Sequence, residues 1–245
     1  MGNKIRCDFS FDHYREILNL FKKRGYKFSF FSESPNLKMK RVYLRHDVDF
    51  SLEKALKMAQ IENENNVHST YFIRLSAPFY NIFSPDCSKI IKEIFSLGHQ
   101  VGLHFEGGFY ETRNTTKKTI EKEVSRQLSI LKDYFKAKSV VSFHRPSKFI
   151  FNHKFGDFIN TYENKFFGKI KYLSDSKGNW REGCVCRWLN SSTPPHNLQI
   201  LIHPIWWGRK EKDLNLFLQN FLKEKFKYLD AFLQKDCQSY KKKIF

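Results

Sequence analysis

Residues 41–49 read Arg41-Val42-Tyr43-Leu44-Arg45-His46-Asp47-Val48-Asp49. β-Branched and aromatic side chains fill the first half, which suits a strand over 41–48, and two aspartates close it. Ser51 follows in position to cap a helix over 52–65. Working outward, Tyr14, Ile17, Leu18 and Phe21 recur at helical spacing ahead of Gly25, so 12–24 reads as a helix with a glycine stop. A strand is expected at 69–73, a helix at 86–97 ending at Gly98, and a strand at 99–104. A long helix over 116–136 carries Ile120, Val124, Leu128 and Leu131 on one face, and a strand follows at 139–143. Further strands are expected at 170–174 and 198–203, and a last helix at 212–234. Strands and helices taking turns imply a parallel sheet, open or closed into a barrel, in one α/β domain.

The 245 residues include 43 Lys+Arg and 25 Asp+Glu, a formal net charge of +18, with 17% aromatics and 26 Phe. So much apolar surface excludes a disordered or collagen-like chain, and no apolar run is long enough for a membrane span. Met1-Gly-Asn-Lys-Ile-Arg-Cys7 has no apolar core behind its charges, which reads as no secretory signal and makes the cytoplasm the expected location. No nucleic-acid-binding or phosphate-loop motif accompanies the spread of basic residues, so no nucleic-acid partner is expected. A phosphorylated substrate, or at most peripheral attraction to an anionic membrane surface, accounts for the charge equally well. The five cysteines are too few for a disulfide framework. Cys184 and Cys186 could supply half a zinc site, but no second Cys/His pair lies nearby in sequence. Small buried side chains on a strand are the expectation there.

In parallel α/β folds the chemistry sits at the carboxyl ends of the strands. The polar residues at those ends are Asp47 and Asp49, His104 with Glu106, His144 with Arg145, Asp175, and His203. Two residues apart, Asp47 and Asp49 point to one side of an extended chain. Together they repel unless a cation intervenes, so one could bind a divalent metal while the other serves as general base. The alternative is that one caps the following helix and the other is solvated. His104 is either a metal ligand or a satisfied polar residue. His203, after the apolar run Leu198–Ile202, could act as a general acid with Asp175 as its partner.

The order Arg45-His-Asp-Val-Asp49, Ser69-Thr-Tyr-Phe-Ile73, Gly98-His-Gln-Val-Gly-Leu-His104, His144-Arg-Pro146 and Leu201-Ile-His203 resembles the polysaccharide deacetylase superfamily, the NodB-homology or carbohydrate esterase family 4 domain, in its branch with an Arg-His-Asp-Val-Asp opening. The resemblance runs from about residue 41 to 207 of a single domain, with 208–245 as a C-terminal helix and 1–40 as either an N-terminal extension or the part that completes the barrel. It implies a single-domain distorted (β/α) barrel and a divalent metal, usually Zn²⁺, for hydrolysis of an N-acetyl group on a sugar. By the same resemblance Asp47 is the general base, Asp49 and His104 bind the metal, Arg145 orients the base, Asp175 tunes the acid, and His203 is that acid.

One position departs from the family pattern. The second metal histidine should lie four residues after the first, and that position is Gly108. His144 and Glu106 are the candidate replacements; His144 is favoured as third ligand, which leaves Glu106 for substrate. Trp180, Trp206 and Trp207 could stack on a sugar ring, with Trp207 the choice for a wall. The expected substrate is an acetylated amino sugar of surface-polysaccharide synthesis, still carried on a nucleotide or lipid diphosphate. The contrasting expectation is a catalytically inactive barrel that binds glycan or a partner.

Overall fold

The computed structural model describes residues 7–36, 38–110, 116–151, 153–209 and 211–241. The opening residues 1–6 and Lys242 and Lys243 of the basic tail lie outside these. Two compact units are present, Met1–Trp207 and Gly208–Phe245.

The larger unit alternates helix and strand: α1 (Phe11–Lys23), β1 (Lys27–Phe28), β2 (Arg41–Val48), α2 (Leu52–Glu64), β3 (Thr70–Ile73), α3 (Pro85–Ser96), β4 (Gln100–Glu106), α4 (Gly107–Tyr110), α5 (Lys117–Phe135), β5 (Val140–His144), β6 (Ile159–Asn160), α6 (Asn164–Phe167), β7 (Lys171–Ser174), α7 (Val185–Leu189) and β8 (Asn197–Ile202). Ser10, Ser51 and Thr116 cap α1, α2 and α5 with their hydroxyls, each accepting from the backbone N–H three residues on. The smaller unit holds α8 (Leu214–Asp236), capped by Asp213.

Every strand pairing is parallel, in the order β6-β5-β4-β3-β2-β8-β7, with β1 also on β2. Registers place β1 beside Arg41 and Val42 and β3 beside Arg45 to Val48, while β8 runs along Arg41 to His46. The sheet curls, because a side chain of β2 reaches residues of β5, β8 and the segment after β6. It remains open between β6 and β7 among the described residues, so the expected barrel is a half-barrel.

Period-two alternation sorts the side chains. Val42, Leu44, His46 and Val48 face outward to the helices, and Tyr43, Arg45 and Asp47 face the barrel interior. On the outside, the apolar faces of β3, β4 and β5 pack against α2, α3 and α5. Buried Glu62 of α2 binds there, accepting from Ser69 Oγ at 2.6 Å and Tyr71 at 2.9 Å, meeting His46 Nε2 at 2.6 Å, and accepting from Tyr14 of α1. On the inside, Phe31, Tyr43, Phe72, Val140 and Phe166 form an apolar floor. Gly102 belongs to that floor: a Cβ there would stand 2.8 Å from the Phe72 ring and 2.9 Å from the Val140 carbonyl oxygen.

Above the floor lies Arg45, with no exposed surface. It donates from Nε and Nη2 to the two oxygens of Asp47, at 2.8 and 2.7 Å, and from Nη1 to Thr161 at 2.9 Å and Gln199 at 3.3 Å. It also donates to Ser142 and Tyr162, and its guanidinium lies 4.6 Å from the Tyr162 ring centre. One side chain thus ties together β2, β5, β8 and the turn after β6. Replacing it should leave a buried carboxylate unpaired, a loss of about 3–5 kcal/mol. Arg45→Ala is therefore expected to lower the urea midpoint sharply. An unchanged midpoint would show that Asp47 does not depend on this pair.

Candidate functional site

The third interior layer lies at the carboxyl ends of the strands and centres on Asp49, 7% exposed. His104 Nε2 stands 3.1 Å from its Oδ1, His144 Nε2 3.7 Å from the same oxygen, and His203 Nε2 3.8 Å from Oδ2. Asp49, His104, His144, Glu106, Asp175 and His203 are thereby brought together as a cluster, with Asp47 one layer below.

The outer nitrogens set the tautomers. His144 Nδ1 lies 2.8 Å from Glu106 Oε2, so its N–H serves that carboxylate. Burial pushes the His144 pKa down despite Glu106, favouring the neutral ring with its Nε2 lone pair toward Asp49. His104 Nδ1 lies 3.0 Å from Ser142 Oγ and 3.3 Å from the Ser142 carbonyl oxygen, which can only accept. Its Nε2 then meets a carboxylate oxygen, and either a proton or a cation must stand between them. Two imidazole nitrogens and one carboxylate oxygen make a donor set that suits zinc, with a fourth position left for water or substrate. Glu106 bonding Nδ1 of a ligating histidine is a common outer-shell arrangement. The residues present therefore fit a divalent metal, even though Gly108 offers no ligand. The two rings stand edge to face with centres 5.4 Å apart, a separation that two imidazoles on one ion can keep.

Asp175 is fully buried and accepts from the His203 backbone N–H at 2.9 Å, faces His203 Nδ1 at 2.6 Å and accepts from Trp207 Nε1 at 2.9 Å. Burial works against charge on His203, but Asp175, and then Asp49 and Asp47, overcome it and raise its pKa to about 9. At neutral pH His203 is an imidazolium. For Asp47, burial acts upward, yet Arg45 and then His104 hold its pKa far below the ordinary carboxylate range. Asp49 is also lowered, burial being outweighed by His104 and His203.

Three sequence expectations meet a different geometry. The guanidinium on Asp47 is that of Arg45, not Arg145. β5 ends at His144, and Arg145 turns away with φ of +50° and is exposed. Trp207 is no wall for a sugar: it has no exposed surface and packs at 5.3 Å on Phe9 and 5.0 Å on Tyr14. The tryptophan beside an open space is Trp180, which with Pro146, Phe151, Tyr162, Phe167 and Tyr172 lines a cavity of about 290 Å³ where β6 and β7 leave the sheet open. Glu106 holds His144 and pairs with Arg74. Arg74 went unread in the sequence; nothing in its neighbourhood of the chain marks it, yet its Nη1 lies 3.7 Å from Asp49.

No family model and no curated protein matches the chain. Solved structures do. A family 4 carbohydrate esterase from Bacillus anthracis is 13% identical at a TM-score of 0.41, covering 86% of this chain and 84% of that one. The catalytic domain of a peptidoglycan N-acetylglucosamine deacetylase from Eubacterium rectale is 16% identical at 0.44, covering 80% and 88%. A chitin deacetylase from the fungal pathogen Colletotrichum lindemuthianum is 20% identical at 0.45, covering 75% and 81%.

The Asp175–His203 pair has a pH signature. Because the folded pKa of about 9 exceeds the ordinary 6.5, its stabilisation is complete below about pH 6.5 and lost as pH rises through 9. Asp175→Asn should bring the His203 NMR titration back toward 6.5. The stability gap between wild type and variant should narrow from pH 6 to pH 10. A His203 titration already near 6.5 in the wild type would contradict the pairing.

Proposed function

We propose that this chain is a metal-dependent hydrolase that removes an N-acetyl or similar acyl group from an amino sugar. The observation that carries the reading is the grouping of His104 Nε2, His144 Nε2 and His203 Nε2 around Asp49, within 3.1–3.8 Å, two of them placed as lone-pair donors and one as a proton donor. Asp49, His104 and His144 would hold the ion, and Zn²⁺ suits that donor set. When bound, it supplies Lewis acidity toward an acyl carbonyl and lowers the pKa of water.

The chain's own residues do the rest. His203, charged at neutral pH, delivers a proton to the departing amine, and Asp175 holds its ring in the orientation for doing so. Asp47 is the proton acceptor in this reading, with Arg45 taking the orienting role expected of Arg145. Both Asp47 oxygens already accept from Arg45 and Ser142, which makes it a weak base that works only on an acidified water. Trp180 and the aromatic cavity beside Asp175 offer a surface for a sugar ring. The net charge of +18 suits a substrate carried on a diphosphate, and a cytoplasmic location in surface-polysaccharide synthesis goes with that.

Acetate release from N-acetylated amino sugars, free, polymeric and nucleotide-linked, is the direct assay. Asp49→Asn should remove both activity and the site's metal. His203→Gln should keep the metal and lose about 10²–10⁴-fold in kcat, and Asp47→Asn should behave likewise. Full activity in His203→Gln would remove it as the acid. A second reading rests on Arg74, whose guanidinium faces both Asp49 and Glu106 where a cation would compete. If the chain binds a sugar unchanged by chelator and releases no acetate, it is an inactive binding module.

A further inference from the structure

Outside the cluster around Asp49, four side chains from distant parts of the sequence converge. Cys7, His13, Cys184 and Cys186 each present one ligand atom, all within 4.8 Å of one another, and His13, Cys184 and Cys186 are buried. Cys7 Sγ lies 3.0 Å from Cys186 Sγ, and His13 Nε2 lies 3.2 Å from Cys184 Sγ. A sulfur–sulfur bond would be about 2.0 Å, so this is no disulfide. Zinc bonds of about 2.1–2.3 Å in a tetrahedron separate the ligand atoms by roughly 3.5 Å, close to what these side chains already show.

The supporting geometry is that of a ligand set. His13 directs Nε2 into the cluster because Nδ1 lies 3.1 Å from Glu16 Oε2, the carboxylate–imidazole pairing common behind zinc histidines. Its backbone N–H donates to Ser10 Oγ, fixing it in the first turn of α1. Cys184 is the residue before α7 and Cys186 lies in its first turn. Gly183, at φ of +84°, enters α7 in a left-handed conformation that glycine adopts without strain. The pair therefore does not sit on a strand as its sequence suggested, and the missing half of the site comes from the amino-terminal segment.

We propose that Cys7, His13, Cys184 and Cys186 bind one structural Zn²⁺ that fastens α1 to α7, independently of any metal at Asp49. The consequence reaches the functional site through Tyr14, which follows His13 and packs on Trp207, the residue that holds Asp175.

Cobalt(II) loading of the reduced full-length chain separates the two sites, because only this one contains sulfur. Near-ultraviolet thiolate-to-cobalt charge-transfer absorption is expected in the wild type and in Asp49→Asn/His104→Ala, and its loss is expected in Cys184→Ser/Cys186→Ser. Zinc analysis should give one retained ion per chain in the first double variant and none at this site in the second. Thiol counting on the wild type tests the same point without substitutions. All five cysteines should react after denaturation with chelator, and Cys7, Cys184 and Cys186 should be shielded in the native zinc-loaded chain. Cobalt bound without charge-transfer bands, three reactive thiols where five are expected, or zinc retained at this site by Cys184→Ser/Cys186→Ser would each overturn the assignment.

Discussion

The buried pair of Arg45 and Asp47 is the constraint on which the rest of the half-barrel depends. A charged guanidinium with no exposed surface is tolerated only if every donor is met, and here the acceptors come from four separate stretches of chain. The pair therefore specifies the curvature of the sheet as much as it stabilises it. A flat sheet could not bring Gln199, Ser142 and Thr161 within reach of one β2 side chain. The cost of burying the ions is recovered only in the correct arrangement, which disfavours alternative registers. Ser142 then passes this order upward, because the hydroxyl that donates to Asp47 also touches His104 Nδ1.

A second buried carboxylate works on the opposite face of the same strand. Burial acts to raise the pKa of Glu62, but His46 and its other partners keep it low, and through it α1, α2, β2, β3 and the start of β4 meet at one point. His46 and Asp47 are neighbours in sequence and face opposite layers, so β2 carries both polar hubs. That double duty explains why the strand is buried almost throughout although three of its eight residues are charged outright and a fourth is histidine.

Much of this was legible in the sequence, for reasons that can be named. The helices over 11–23, 52–64 and 117–135 declare themselves by helical periodicity, cap residues or both, and the strands at 41–48, 100–106 and 197–202 by apolar runs ending in ionisable residues. β1 and β6, two residues each, are too short to establish any period. The resemblance gives the orienting role to Arg145, and nothing in the residues His144-Arg145 reveals that the backbone turns there at φ +50°. Arg45 stands within the opening motif, but only tertiary structure says that it folds back along its own strand onto Asp47. Trp207 and Trp180 could not be told apart, since aromatic content carries no direction. The Cys184–Cys186 pair lacked partners only because they lie at positions 7 and 13, a separation that no local pattern spans.

The charges at the strand ends also bear on what the site can accept. Four carboxylates, Asp47, Asp49, Glu106 and Asp175, face three cations, Arg45, Arg74 and protonated His203. One negative charge is left over beside Asp49, the point at which His104 Nε2 needs a proton or a cation. In the proposed reading a divalent ion at that point would leave the cluster one charge positive, matched to an oxyanion developing on an acyl group. Arg74, already counted among the three cations, limits the same preference: drawn closer to Asp49 it would compete with an ion for that carboxylate. The distance from Arg74 to Asp49 therefore bears on whether that carboxylate is met by an ion pair or by the proposed ion.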